Sequence, residues 1–561
     1  MTFEQLQYHR PDMAQFSTRF NELLDRFSGS QSFEVQSEVF RELNALRDEF
    51  SSMYNLCHIR HTVNTKDEFY AAENDFFDQE MPNVEALNFK FYEKLLASSF
   101  RSELEAKWGR QLFQIAELSR KTFSPDILED LQKENALVSA YVKLKAGARI
   151  TCLGEEYNLS SIIKLENSPD REVRKAAAAA KWAFFNEHAT EVDDIFDQLV
   201  KLRHGMAQKL GFHNFVEMAY ARMLRSDYDA NMVAGFREQI RQSIVPIATR
   251  LYERQRERLQ LERLHFYDED YRFPDGNPHP QGDPDWIINQ AAQMYDELSP
   301  DTSEFFRFML DGGFMDLPAR DGKSPGGYCT FLNSHGAPFI FSNFNGTSGD
   351  IDVLTHEVGH AFQVYSSRNI GINEYYWPSY EACEIHSMSM EFFTWPWMRL
   401  FFGQDTDKYH FAHLSGAIYF LPYGVSVDEF QHLVYENPDW TPAERRQAWR
   451  DTERKYLPWR HYDDNAFLES GGYWHKQSHI FSSPFYYIDY VLAQICAFQF
   501  WKRDREDHAS AWKDYVQLCR AGGSQPFLEL TQLANLRSPF EEGCVESVSG
   551  VVAEWLEGHR V

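Results

Sequence analysis

The sequence predicts a mainly α-helical protein, a large helical body with one small β-sheet. Three observations carry that prediction. Apolar residues recur at three- and four-residue steps through long stretches of the chain. Breaker residues gather in a few short segments. Strand-like runs bounded by glycine occur in only two places.

The first helical stretch is 34–55, where Val35, Val39, Phe40, Leu43 and Leu46 share a face. Residues 83–108 continue in the same style. Residues 148–157 read as a short hairpin turning at Gly154. Ser168-Pro169-Asp170 then starts a helix whose Ala176–Ala180 run has very high helix propensity. A soft boundary near 166 divides an N-terminal helical region, 1–165, from the remainder, 166–561. Pro274, Gly276, Pro278, Pro280, Gly282 and Pro284 make 268–285 a loop. Residues 326–331 and 338–344 read as two strands, with Gly336 turning between them and Gly346 ending the second.

Composition excludes several classes. A length of 561 residues exceeds one small core. The 56 basic and 84 acidic residues leave a net charge of −28 with no Lys/Arg run, so no nucleic-acid footprint exists. No apolar run approaches the ~18 residues of a membrane span. The seven cysteines are scattered without a CxxC pair, as reduced thiols are, and the start of the chain carries no basic or apolar leader. Both point to the cytoplasm. The aromatic share of 16% suits helix–helix packing first and the lining of a groove second.

The chemistry centres on His356-Glu357-Val358-Gly359-His360. On a helix, i and i+4 share a face, so two imidazoles can chelate one ion, and Glu357 beside them can take a proton from water at that ion. Thr347, Ser348 and Asp350 are candidate caps, and Leu354, Val358, Ala361, Phe362 and Tyr365 form an apolar stripe. The plain alternative is two surface histidines on an ordinary helix. Gly359 argues against it, because a mid-helix glycine costs about 1 kcal/mol and close approach of another helix would explain it. A catalytic zinc keeps three protein ligands and an open position. A helix starting at Pro378-Ser379 offers the third, Glu384, on a face with Ser387, Met388 and Glu391. Glu381 or Glu391 would orient a ligating imidazole, with Asp352 as a further candidate. Glu381 could equally serve the helix dipole, and Asp352 could be solvated. His386, two residues from Glu384, faces elsewhere and reads as structural. Two His and one carboxylate also accept cobalt or manganese.

The motif followed by Glu384-Ile385-His386-Ser387 and Glu391 resembles the M3 family of zinc metallopeptidases, most closely its oligoendopeptidase F branch. So do Ser168–Ala176, Lys209-Leu210-Gly211-Phe212, Ala219–Met223 and Gly522-Gly523-Ser524. The resemblance runs from about 166 to the end. It implies a helical body enclosing a deep substrate channel, one zinc ion per chain held by His356, His360 and Glu384, and a small sheet near the zinc. It marks Pro338–Gly346 as an edge strand whose Phe341 and Ser342 bind peptide backbone. It also implies that His479, Tyr487 and Tyr490, with Tyr486 contacting substrate, support the oxyanion formed when water attacks a carbonyl. His475 and His479 lack an intervening Glu, so no second metal site is expected. The function implied is zinc-dependent hydrolysis of internal bonds in short unfolded peptides. A carboxypeptidase or dipeptidyl carboxypeptidase shares the His-to-Glu spacing and would need a carboxylate anchor. A non-catalytic, metal-stabilised peptide-binding protein is the remaining class.

Overall fold

The computed structural model describes residues 2–559. Helices dominate. The chain opens with α1 (Met13–Ser28), α2 (Phe33–Val63), α3 (Glu68–Leu96) and α4 (Arg110–Thr122), which pack around Phe16, Phe20, Phe27, Phe40, Phe77 and Phe91. Ile372 and Tyr375, far along the chain, close the same cluster. The apolar face expected at 34–55 therefore belongs to a longer helix. The expected stretch 83–108 is interrupted: α3 ends at Leu96 and a separate helix covers Arg101–Trp108.

Strand β1 (Ile150–Cys152) pairs antiparallel with β2 (Glu155–Tyr157), and Leu153 and Gly154 both turn with positive φ. Asp170 caps α5 (Arg171–Glu187) by accepting the Glu172 amide. Residues 269–283 form the expected loop, which ends where Asp283 caps a helix beginning at Pro284.

The second sheet has three strands: β3 (Met315–Pro318), β4 (Tyr328–Leu332) and β5 (Ala337–Phe344), ordered β3-β5-β4. Strand β3 lies parallel to β5, and β4 lies antiparallel to it. The sequence reading missed β3, whose four residues end in proline. It also made β5 an edge, and the topology corrects this. Strand β5 is central, and its backbone is paired on both sides.

Helix α6 (Gly349–Ser367) follows directly. Asp350 accepts the Asn345 and Gly346 amides at 2.9 and 2.7 Å, tying the sheet to the helix start. Ser348 occupies the cap position without a side-chain bond. Helix α7 (Tyr380–Phe393) packs against α6, and α7 and α8 (Thr406–Glu436) both pack against α9 (Tyr487–Glu506). Nearly every residue of α7 is buried, so it serves as the floor on which the site is built.

Candidate metal centre

Helices α6 and α7 meet at Gly359. A Cβ there would lie 2.7 Å from the His386 carbonyl oxygen and 2.7 Å from the Ser387 Cα, so only glycine allows this approach. The approach brings Glu384 under the two imidazoles of α6. The Nε2 atoms of His356 and His360 lie 3.3 and 3.6 Å from the Glu384 Oε2. Ligands ~2.0–2.2 Å from a tetrahedral ion stand ~3.3–3.6 Å from one another. The three side chains are thus spaced as ligands of one ion, and they form the one such cluster among the described residues.

The charges agree. Burial lowers the pKa of His356, but bonds to Glu384 and Glu391 overcome this and raise it well above the ordinary value. Burial raises that of Glu384, yet the two imidazoles pull it well below the usual range. Buried carboxylates that stabilise positive charge on an imidazole would equally stabilise a cation. The Ser387 hydroxyl donates to Glu384 Oε2 at 3.0 Å and the Tyr486 hydroxyl donates to Oε1 at 2.7 Å. The donor set therefore fits zinc.

Glu357 lines the same cavity as His356, His360 and Glu384. Burial lifts its pKa above the usual carboxylate range, and the two histidines partly oppose this. Glu391 accepts from His356 Nδ1 at 2.7 Å, as an orienting carboxylate does. The other two candidate orienters sit elsewhere. Glu381 is buried near Asp489 and Arg225 and bonds neither imidazole. Asp352 accepts instead from the Tyr409 hydroxyl at 2.6 Å. His413 was not anticipated. It lies 2.8 Å from Glu391, and no motif on α8 announces it. His386 is structural, with Nδ1 2.6 Å from the Ala382 carbonyl, and His475 pairs with Asp193 at 2.9 Å.

Residues on either side of α9's start close the cleft. The His479 ring centroid lies 5.9 Å from Tyr486, 5.0 Å from Tyr487 and 5.9 Å from Tyr490. Tyr423 donates to Gln477 Oε1 at 2.7 Å, which turns the Gln477 amide N–H onto His479 Nδ1 at 2.8 Å. The proton of neutral His479 is then on Nε2, available to donate. Burial lowers the His479 pKa and raises those of the three tyrosines, so all four keep neutral donor forms.

The cleft has two lobes that share His356 and Tyr490. One, of about 520 Å³, contains Glu357, His360, Glu384 and Tyr486. The other, of about 670 Å³, contains His479, Tyr487 and His413. Phe341 and Ser342, by contrast, are buried at 0% and 3% exposure. Phe341 stacks on Tyr328 with centroids 4.8 Å apart. A central strand has no free backbone to offer, so β4 provides the edge. The Ile340 amide donates to Phe314 at 3.0 Å, on the β3 side. Its partner Cys329 therefore turns N–H and C=O away from β5. Cys329 also lines the lobe containing Glu357.

The sequence profile described as "Peptidase M3 N-terminal domain" matches residues 3–123, and "Peptidase family M3" matches 164–279 and 288–549. A structure of PZ peptidase A with an inhibitor is 58% identical, with a TM-score of 0.96, covering 100% of this chain and 99% of that one. A Bacillus anthracis protein assigned as an oligoendopeptidase F is 53% identical, with a TM-score of 0.91, covering 100% and 98%. An oligoendopeptidase F from Enterococcus faecium shares the fold at 15% identity, with a TM-score of 0.62, over 97% and 99%. No match was found among curated proteins.

Proposed function

Because the chain belongs to peptidase family M3, in its oligoendopeptidase F branch, and is a peptidase, we propose that it is a zinc-dependent endopeptidase acting on short unfolded peptides. The observation that carries this reading is the ligand-like spacing of His356, His360 and Glu384 with Glu357 in the same cavity. When bound there, zinc supplies a Lewis acid that polarises a carbonyl and lowers the pKa of water towards ~7. Glu357 takes the proton of the attacking water and carries it to the leaving amine. His479 Nε2–H and the Tyr490 hydroxyl donate to the developing oxyanion. Tyr486 holds Glu384 in place. The open edge of β4 at Cys329 offers backbone partners to an extended peptide, the role first given to Phe341 and Ser342.

In this reading residues 166–561 form the catalytic region and 1–165 an N-terminal helical region. All seven cysteines are unpaired, which supports a reducing, cytoplasmic setting.

The test is digestion of a mixture of unstructured peptides, with cut sites mapped by mass spectrometry. Internal cuts should vanish with a chelator and return with zinc. Glu357→Gln should keep the metal and lose ~10²–10⁴-fold in kcat. Cleavage that persists in fully metal-stripped protein would overturn the reading.

A further inference from the structure

The two lobes that meet at His356 contain one Lys or Arg side chain among the residues lining them, Arg272. It comes from the loop before Pro284 and reaches α8. Its guanidinium donates to the Ala412 carbonyl and lies against Gly416, where a Cβ would be 3.2 Å from Nη1. It faces the Tyr419 ring at 5.5 Å. The loop is braced behind it. Asn277 accepts the Arg272 amide at 3.1 Å and donates to the Asp270 carbonyl at 2.9 Å.

Among the described residues Arg272 has no carboxylate within ion-pair distance. Asp270 lines the same lobe and forms no pair with it. Most buried or half-buried arginines of the chain are paired with a carboxylate, Arg47, Arg174 and Arg225 among them. The neighbouring Arg258, which donates to the Arg272 carbonyl, is unpaired too among the described residues but does not line the cleft. Arg203 and Arg222, in a neighbouring cavity, show the contrast: both bond Glu134. A guanidinium presents five donors, matched to a carboxylate. Arg272 spends one of them visibly, on Ala412. Helix α8 then leads one turn back to His413 and, through Glu391, to His356. A peptide paired along β4 in the first lobe and crossing the metal site would run towards Arg272 in the second.

We propose that Arg272 is a carboxylate-binding site at the far end of the cleft, which takes the C-terminal carboxylate of the bound peptide. The inference rests on the peptidase reading above. It makes the free chain end a ruler, because an extended chain advances ~3.3–3.6 Å per residue, so cuts fall a set number of residues from the C-terminus. An Arg anchor of this kind was the feature the trimming alternative required. Here it serves short peptides held across the metal site.

The experiment measures binding, not turnover. Zinc-loaded Glu357→Gln protein is titrated with one peptide as free acid, as C-terminal amide, and as an amide bearing an internal Glu. The acid should bind about tenfold more tightly than the plain amide. Arg272→Gln in the same background should weaken the acid about tenfold and leave the amide unchanged, with an unaltered thermal melt. Equal binding of acid and amide, or equal weakening of both by Arg272→Gln, would overturn the proposal. An internal Glu that restores full affinity to the amide would also overturn it, by assigning the site to substrate side chains. Arg272→Ala should behave as Arg272→Gln does. Loss of chelator-sensitive cleavage alone would sink the metallopeptidase reading and leave the acid–amide difference standing.

Discussion

Glu391 stands 2.7 Å from His356, Oε1 to Nδ1, on the side of the imidazole opposite Glu384. Its second oxygen is 2.8 Å from His413 Nε2, and the Trp395 indole donates to His413 Nδ1 at 3.3 Å. An indole N–H only donates, so the His413 proton points at Glu391. The orientation of His356 is thus set by a chain of three side chains. Glu391→Gln should lower zinc affinity ~10–100-fold, measured by competition with a chelator. His413→Ala should lower it less, since Glu391 remains.

Gly359→Ala should destabilise the protein by ~1–3 kcal/mol through overpacking against the α7 backbone. Both nearest atoms are backbone or bonded to it, so a rotamer change cannot relieve them. Urea denaturation reads the stability. Zinc affinity should fall in parallel, because separation of α6 from α7 moves Glu384 away from the imidazoles.

Among the tyrosines, Tyr490 lines both lobes and Tyr487 only the one containing His479. Tyr490→Phe should reduce kcat by ~10²–10³-fold with little change in KM, the signature of a lost oxyanion donor. Tyr487→Phe should stay within about tenfold of the parent. Tyr486→Phe should act partly through the metal, since its hydroxyl bonds Glu384. Steady-state kinetics on one peptide separates the three.

Behind the metal site, Glu381 and Asp489 are buried together. Burial first, and then the charge of Asp489, push Glu381 to about 8; burial, with the charges of Asp428 and Glu384, pushes Asp489 to about 7 against the opposing Arg225, which bonds it at 2.7 Å. Both values exceed the unfolded range near 4. The folded state therefore binds more protons than the unfolded state between about pH 4 and 8, and stability should fall as pH rises through that window. Glu381→Gln should flatten the slope of melting temperature against pH from 5 to 8. An unchanged slope would show that the pair is not the source.

The sequence was most legible where one element sufficed. His356, Glu357 and His360 share one helix turn, and Glu391 follows Glu384 by two turns on the next helix. The hairpin at 150–157 and the helix start at Asp170 are equally local. Periodicity also placed Val39, Phe40 and Leu43 on the buried face of α2, whereas Val35, assigned to the same face, is exposed. It failed at 97–100, where a short break between helices leaves no strong breaker residue.

What the sequence by itself determined was the helical class, the family and the candidate ligand set of His356, His360 and Glu384. These depend on spacing within an element, and spacing is written along the chain. Only the tertiary structure decided which carboxylate lies against a candidate ligand, because Glu381 and Glu391 lie ten residues apart on one helix and face different neighbours. It alone placed β5 at the centre and left β4 as the edge, since strand order depends on the unforeseen β3. It alone brought Arg272 and His413 to the cleft, by packing a loop and a distant helix against α6 and α7. Contacts between remote segments are set by how whole faces pack, and no local pattern records them.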